Sequence, residues 1–88
     1  MRIWFKTVKN ARIKKDISID DFSDDSRTTK VFRALNDACK AFDLSVPIWL
    51  KINVNDFQRH AKTRFTQDSF IENIDFDYLE VQVIEEDY

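Results

Sequence analysis

The 88-residue sequence contains no glycine, one proline, one cysteine and one histidine. Without glycine, the backbone loops that cradle phosphates are excluded, and any tight turn with positive φ must fall to Asn or Asp. One cysteine, Cys39, and one histidine, His60, build neither a disulfide framework nor a zinc cluster. No apolar run approaches the roughly 18 residues that span a bilayer. The opening stretch "MRIWFKTVKN" is interrupted by Lys6 and Lys9, which does not suit the apolar segment of a signal peptide. These absences predict a cytoplasmic protein with no cofactor, no metal and no membrane partner.

What is present is material for a core. The chain is 43% hydrophobic and 14% aromatic, enough for one domain spanning residues 1–88 and unlike a disordered composition. Charge is abundant but segregated. Sixteen acids nearly cancel fourteen bases, yet Arg2 to Lys15 holds six bases and no acid, whereas Gln67 to Tyr88 holds eight acids and no base.

Period-two alternation in "RIWFKTVK" sets Ile3, Phe5 and Thr7 on one face and Trp4, Lys6 and Val8 on the other. With Ile13, Ile17 and Ile19 in "RIKKDISID", this predicts a β-hairpin turning at Lys9, Asn10 and Ala11. "DDFSDDS" reads as an acidic loop in which Asp24, Asp25 or Ser26 caps a helix. From Ser26 to Phe42 the apolar residues Val31, Phe32, Leu35, Ala38, Cys39 and Phe42 recur at helical spacing, with Lys30 and Arg33 on the wet side. Pro47 opens an extended apolar connector of Val46, Ile48, Trp49 and Leu50. A second helix is expected from about Val54 to Lys62, capped by Asn53 or Asn55 and anchored by Val54, Phe57 and Ala61. Arg64 to Thr66 reads as a short strand, Asp68 as the cap of one helical turn reaching Ile71 and Glu72. Leu79, Val81 and Val83 alternate with Tyr78, Glu80, Gln82 and Ile84 as a final strand. The expected fold class is α+β: a small antiparallel sheet, N-terminal hairpin plus C-terminal strand, packed against one long amphipathic helix and one short helix.

The candidate site residues are the acids and neighbouring ring of the terminal stretch: Glu72, Asp75, Asp77, Tyr78, Glu80, Glu85, Glu86 and Asp87. Three uses compete for them. Asp75, Asp77 and Glu80 are too few and too poorly spaced for an EF-hand type of cation site. Pairing with the basic hairpin in one sheet would contribute about 0.2–1 kcal/mol per cross-strand pair. Surplus charge would be open to a partner, including a groove built for phosphates. A second cluster, Arg59, His60, Lys62 and Arg64 flanked by Phe57 and Phe65, is a possible basic patch, but pI 5.3 argues against direct nucleic-acid binding. His60 has Asp56 one turn before it, the geometry that would orient a general base, yet no serine or Cys39 sits in a nucleophile motif. Most of Trp4, Trp49, Phe76, Tyr78 and Tyr88 are expected in the core or half-buried, with Tyr88 outside; any ring left uncovered would mark a protein interface.

"PIWL" followed by "RFTQDSFIENIDFDYLEV" resembles small uncharacterised proteins of anaerobic Gram-positive bacteria. In those proteins a Pro-Ile-Trp-Leu element precedes an Arg-Phe-x-Gln-Asp-x-Phe-Ile-Glu block and an Asp-Phe-Asp-Tyr strand. The resemblance covers roughly Val46 to Asp87 and implies a bacterial, cytosolic, compact domain without assigned activity. In size and acidity alone the chain is also similar to phage- and mobile-element-encoded inhibitors such as anti-CRISPR proteins. The expectation is a non-enzymatic module that binds another protein through the acidic terminal strand and exposed aromatics. The alternatives are an inhibitor that occupies the nucleic-acid groove of a nuclease or another nucleic-acid-handling enzyme, a small hydrolase using His60, and self-association along the terminal strand.

Overall fold

The alternation at the start of the chain is realised as an antiparallel hairpin, β1 (Arg2–Lys9) and β2 (Arg12–Asp20), in a computed structural model that describes residues 1–87. Lys9 pairs with Arg12, so the turn is the two residues Asn10 and Ala11 alone. Both are left-handed, with φ of 53° and 62°, as a type I′ turn requires. Glycine would normally take the second place. Among the described residues four positions are left-handed, Asn10, Ala11, Asp43 and Ala61, so the expectation that Asn or Asp would carry them holds for two and Ala carries the others. Alanine's Cβ makes that conformation cost about 1–2 kcal/mol per residue, which the surrounding structure must offset.

Helix α1 (Arg27–Ala41) starts at Ser26, whose Oγ accepts a hydrogen bond from the Thr29 N–H at 3.2 Å. It ends in a Schellman arrangement: Leu44 N–H donates to Cys39 O at 2.8 Å and Asp43 N–H to Lys40 O at 3.2 Å, with Asp43 left-handed. Val31, Ala34, Leu35, Ala38 and Cys39 are buried as the spacing requires. Two assignments on this helix change. Lys30 is buried rather than wet, because its ammonium pairs with Asp87, and Phe32 is 49% exposed.

Helix α2 (Lys51–His60) begins three residues earlier than the spacing suggested. Asn53 is not its cap; Leu50 stands at the N-cap position, and Asn53 Oδ1 accepts the Leu50 N–H at 3.0 Å from within the first turn. Its amide also donates to Thr63 Oγ1 and the Arg64 carbonyl, at 3.0 and 2.9 Å, and its oxygen accepts from the Ser69 hydroxyl at 3.4 Å. A fully buried amide thus ties the start of α2 to the two segments that follow it. Val54, expected to anchor the helix, is 39% exposed; Phe57 is buried.

Ala61, left-handed, closes α2 and sends the chain into β3 (Lys62–Phe65). The expected turn of helix shrinks to a 3-10 turn at Gln67–Ser69, which contains Asp68 and stops short of Ile71 and Glu72. β4 (Tyr78–Glu85) then returns between β1 and β3, giving the antiparallel order β2-β1-β4-β3. The terminal strand is therefore interior and offers no free edge; the edges are β2 and β3. Ile3, Phe5, Phe65, Leu79 and Val81 form the helix-facing side of the sheet, each fully buried, and pack with α1 and Phe57 into one core. The expected α+β class is the observed one. No helix among the described residues is long and apolar enough to cross a membrane.

Candidate functional site

β4 brings the acids against the hairpin because Lys6 lies opposite Glu80 in the β1–β4 register and Arg64 opposite it in the β3–β4 register. Glu80 accepts from both, Lys6 Nζ at 2.9 Å and Arg64 Nε at 2.9 Å, and only 4% of its side chain is exposed. Burial works against its charge, but the hydrogen bonds from Arg64 and Lys6 outweigh that and hold the carboxyl below its ordinary range. The same cations cover rings: Lys6 Nζ sits 4.1 Å from the centre of Trp4, and the Arg64 guanidinium 4.4 Å from Tyr78. Trp4 donates its indole N–H to Asp16 at 3.0 Å. The helix-free side of the sheet is thereby laced by its own charges and rings.

The remaining acids are placed one by one. Glu86 accepts both Arg27 Nε and Nη2, at 3.0 and 2.9 Å, and that bidentate bond keeps its carboxyl below the ordinary range. Asp87 binds the Met1 ammonium at 2.6 Å and the Lys30 ammonium, and the Lys30 bond keeps it likewise low. Asp77 accepts the Asn10 N–H at 2.9 Å, and Glu72 the Ser45 N–H at 2.8 Å. Glu85 lies 3.8 Å from Arg2, which makes its closer pair with Asp20 at 2.8 Å. Asp75 is exposed and makes no side-chain hydrogen bond among the described residues. Of the acids proposed to face a partner, Glu80, Glu86 and Asp87 are thus held closely, and Glu85 more loosely, by cations of their own fold. Asp75, Asp77 and Glu80 do not converge, and no group of three possible metal ligands occurs among the described residues.

The basic cluster is divided by the turn at Ala61. Arg59 and His60 end α2 and are exposed, whereas Lys62 and Arg64 lie on β3, with Arg64 engaged by Glu80. His60 makes no hydrogen bond to Asp56 among the described residues. Cys39 is a buried free thiol whose pKa is pushed up to about 11 by burial and then by the charge of Glu72, leaving it a poor nucleophile.

A site the acid count did not reveal lies between the helices. Phe32 from α1, Trp49 from the connector, and Val54 and Phe57 from α2 line a groove of about 160 Å³, with Arg27, Thr28, Val31 and Gln58 completing its wall. A volume of about 150 Å³ is what accommodates a benzene ring in a protein interior. Trp49 lines it and is half-buried, its ring centre 5.9 Å from Phe32, 5.5 Å from Phe57 and 4.9 Å from Phe65. Arg27 lies 5.0 Å over Phe57 and is fixed there by Glu86, so one acid of the terminal stretch holds a wall of the groove. Ile48, next to Trp49 in the chain, and Ile52, in the first turn of α2, are 50% and 65% exposed. The sequence signal was the apolar connector itself, "VPIWL", whose residues outnumber what the core takes. Trp4, Phe76 and Tyr78 are half-buried, and Tyr88 lies outside the described residues. Comparison with known proteins finds no matching family model, curated protein or solved structure.

Proposed function

We propose that this chain is a non-enzymatic, cytosolic protein-binding module that takes a large apolar side chain of its partner into the groove between α1 and α2. The observation that carries this reading is the unmet apolar surface around Trp49: Phe32 and Val54 are 49% and 39% exposed beside a ring-sized recess. Burying such surface is the main favourable term in protein association, at about 25 cal/mol per Å² before the costs of binding. Of the aromatics of the expected interface this reading keeps the half-buried Trp49 and adds Phe32, and the acidic stretch is given a supporting part, since Glu86 orients Arg27 beside the groove. The cytosolic placement is supported by the lone cysteine being a buried free thiol.

The test compares three forms of the protein as bait in a lysate of the source cell, each washed at low and at high salt. A partner that survives high salt, is lost with Phe32→Ser/Val54→Ser and is kept with Asp75→Lys/Asp77→Lys supports the groove. A nucleic-acid-handling partner that leaves at high salt, is lost with the charge reversal and is kept with the groove variant would replace this reading by the charge-mimicking inhibitor.

A further inference from the structure

We infer that a second copy of this chain docks on the free edge of β2, antiparallel, so that two four-stranded sheets join into one. β2 is nine residues long, lies at the end of the sheet and has only Ile17 and Ile19 half-buried. The direction of its backbone groups follows from Met1 and Asp21, which exchange N–H to carbonyl bonds of 3.0 and 2.9 Å. Bonded and non-bonded pairs alternate along an antiparallel ladder. Ile19 and Ile17 therefore turn their N–H and C=O groups toward β1, whereas Asp20, Ser18 and Asp16 turn theirs to the open edge.

Charge decides the occupant. An exposed edge strand accepts almost any extended chain unless charged side chains deter it. Here Arg12, Lys14 and Lys15 fill the first part of β2 and Asp16 and Asp20 the second. A parallel copy would set like charges together; an antiparallel copy sets the basic part of each strand against the acidic part of the other. With Ile17 opposite its own copy on the two-fold axis, the outward-turned Asp16 falls opposite Ser18, and Lys14 falls opposite Asp20, once on each side; Asp20 also pairs with Arg2 and its side chain is 40% exposed. Lys14 is the residue that the β1 register skips, between Thr7 opposite Lys15 and Val8 opposite Ile13. The strand thus repels unrelated edges and complements itself, as an isologous two-fold contact requires.

Sedimentation equilibrium over a concentration series, at low and high salt, tests this. The expected result is a mass rising from that of one 10.5 kDa chain toward twice that value, more readily at low salt. Ser18→Pro removes an outward N–H and no bond to β1, so it should remain folded by circular dichroism and lose association. Lys14→Glu and Asp20→Lys should each be monomeric, and their mixture should associate. A wild-type protein that stays monomeric throughout, or a folded Ser18→Pro protein that associates like wild type, overturns the inference. So does association abolished by Phe32→Ser/Val54→Ser while Ser18→Pro leaves it intact, because the contact would then be the groove.

Discussion

Glu80 on β4 and Phe32 on α1 occupy surfaces of opposite fate. Glu80 is a charged group with 4% of its side chain exposed, closed in by Lys6 and Arg64, while Phe32 is a large ring left 49% exposed beside a recess. A carboxylate whose acceptor sites are filled inside the chain has little left to offer a partner, since breaking such a pair costs more than a new one returns. An apolar group at a recess is in the reverse position: its burial is still to be gained. The comparison teaches that the acids of β4 and of the residues just after it mainly organise the fold, whereas the apolar surface between the helices is still open to binding.

The largest way to break the comparison is to remove the support beneath the groove. Asn53→Ala leaves the Leu50 N–H, the Arg64 carbonyl and two hydroxyls short of a buried partner, and should cost about 2–4 kcal/mol in urea unfolding. Glu80→Gln should cost less, about 1–2 kcal/mol, because Arg64 is 56% exposed and water screens its share of the pair.

Acid sharpens the same point. Asp21, Glu80, Glu86 and Asp87 all have carboxyls held below their ordinary values by hydrogen-bonded partners, Arg33 in the case of Asp21. In the unfolded chain these groups take up protons first as pH falls. Their stabilisation is thus complete above the ordinary carboxylate range of about 4 and is lost as pH drops through the depressed folded values. Urea midpoints measured stepwise below that range should fall, and the fall should be shallower in Glu80→Gln. The smallest effect on stability is expected at the groove itself: Phe32→Ser should cost under about 1 kcal/mol while removing partner capture. Equal sensitivity of folding at Phe32 and at Asn53 would mean that the groove is core and not an interface.

Much of this architecture was legible from residue order. The hairpin, the long helix with its cap among Asp24, Asp25 and Ser26, the return of a terminal strand and the α+β class follow from local periodicities and capping chemistry, which act over a few residues and are written in the chain directly. The segregation of charge also points to pairing between the acidic strand and the basic hairpin, which Lys6 and Glu80 realise; which other cations each acid meets is not written in it. Alternation assigned Glu80 to the side of β4 away from the core, which is where it lies, but that it is covered there by Lys6 and Arg64 depends on β4 entering the sheet between β1 and β3. Helical spacing assigns Lys30 to water, yet it is buried because Asp87, 57 positions away in the chain, reaches it. Residue order offers Asn53 or Asn55 as a cap, but the helix starts before both, and the bonds of Asn53 run to Thr63, Arg64 and Ser69 as well as to Leu50. The sequence by itself determined the segments and the sign of each charge. Tertiary structure alone decided which charges are consumed, which edge stays open and where apolar surface remains exposed, because partners distant in the chain meet only when strand order and helix packing bring them together.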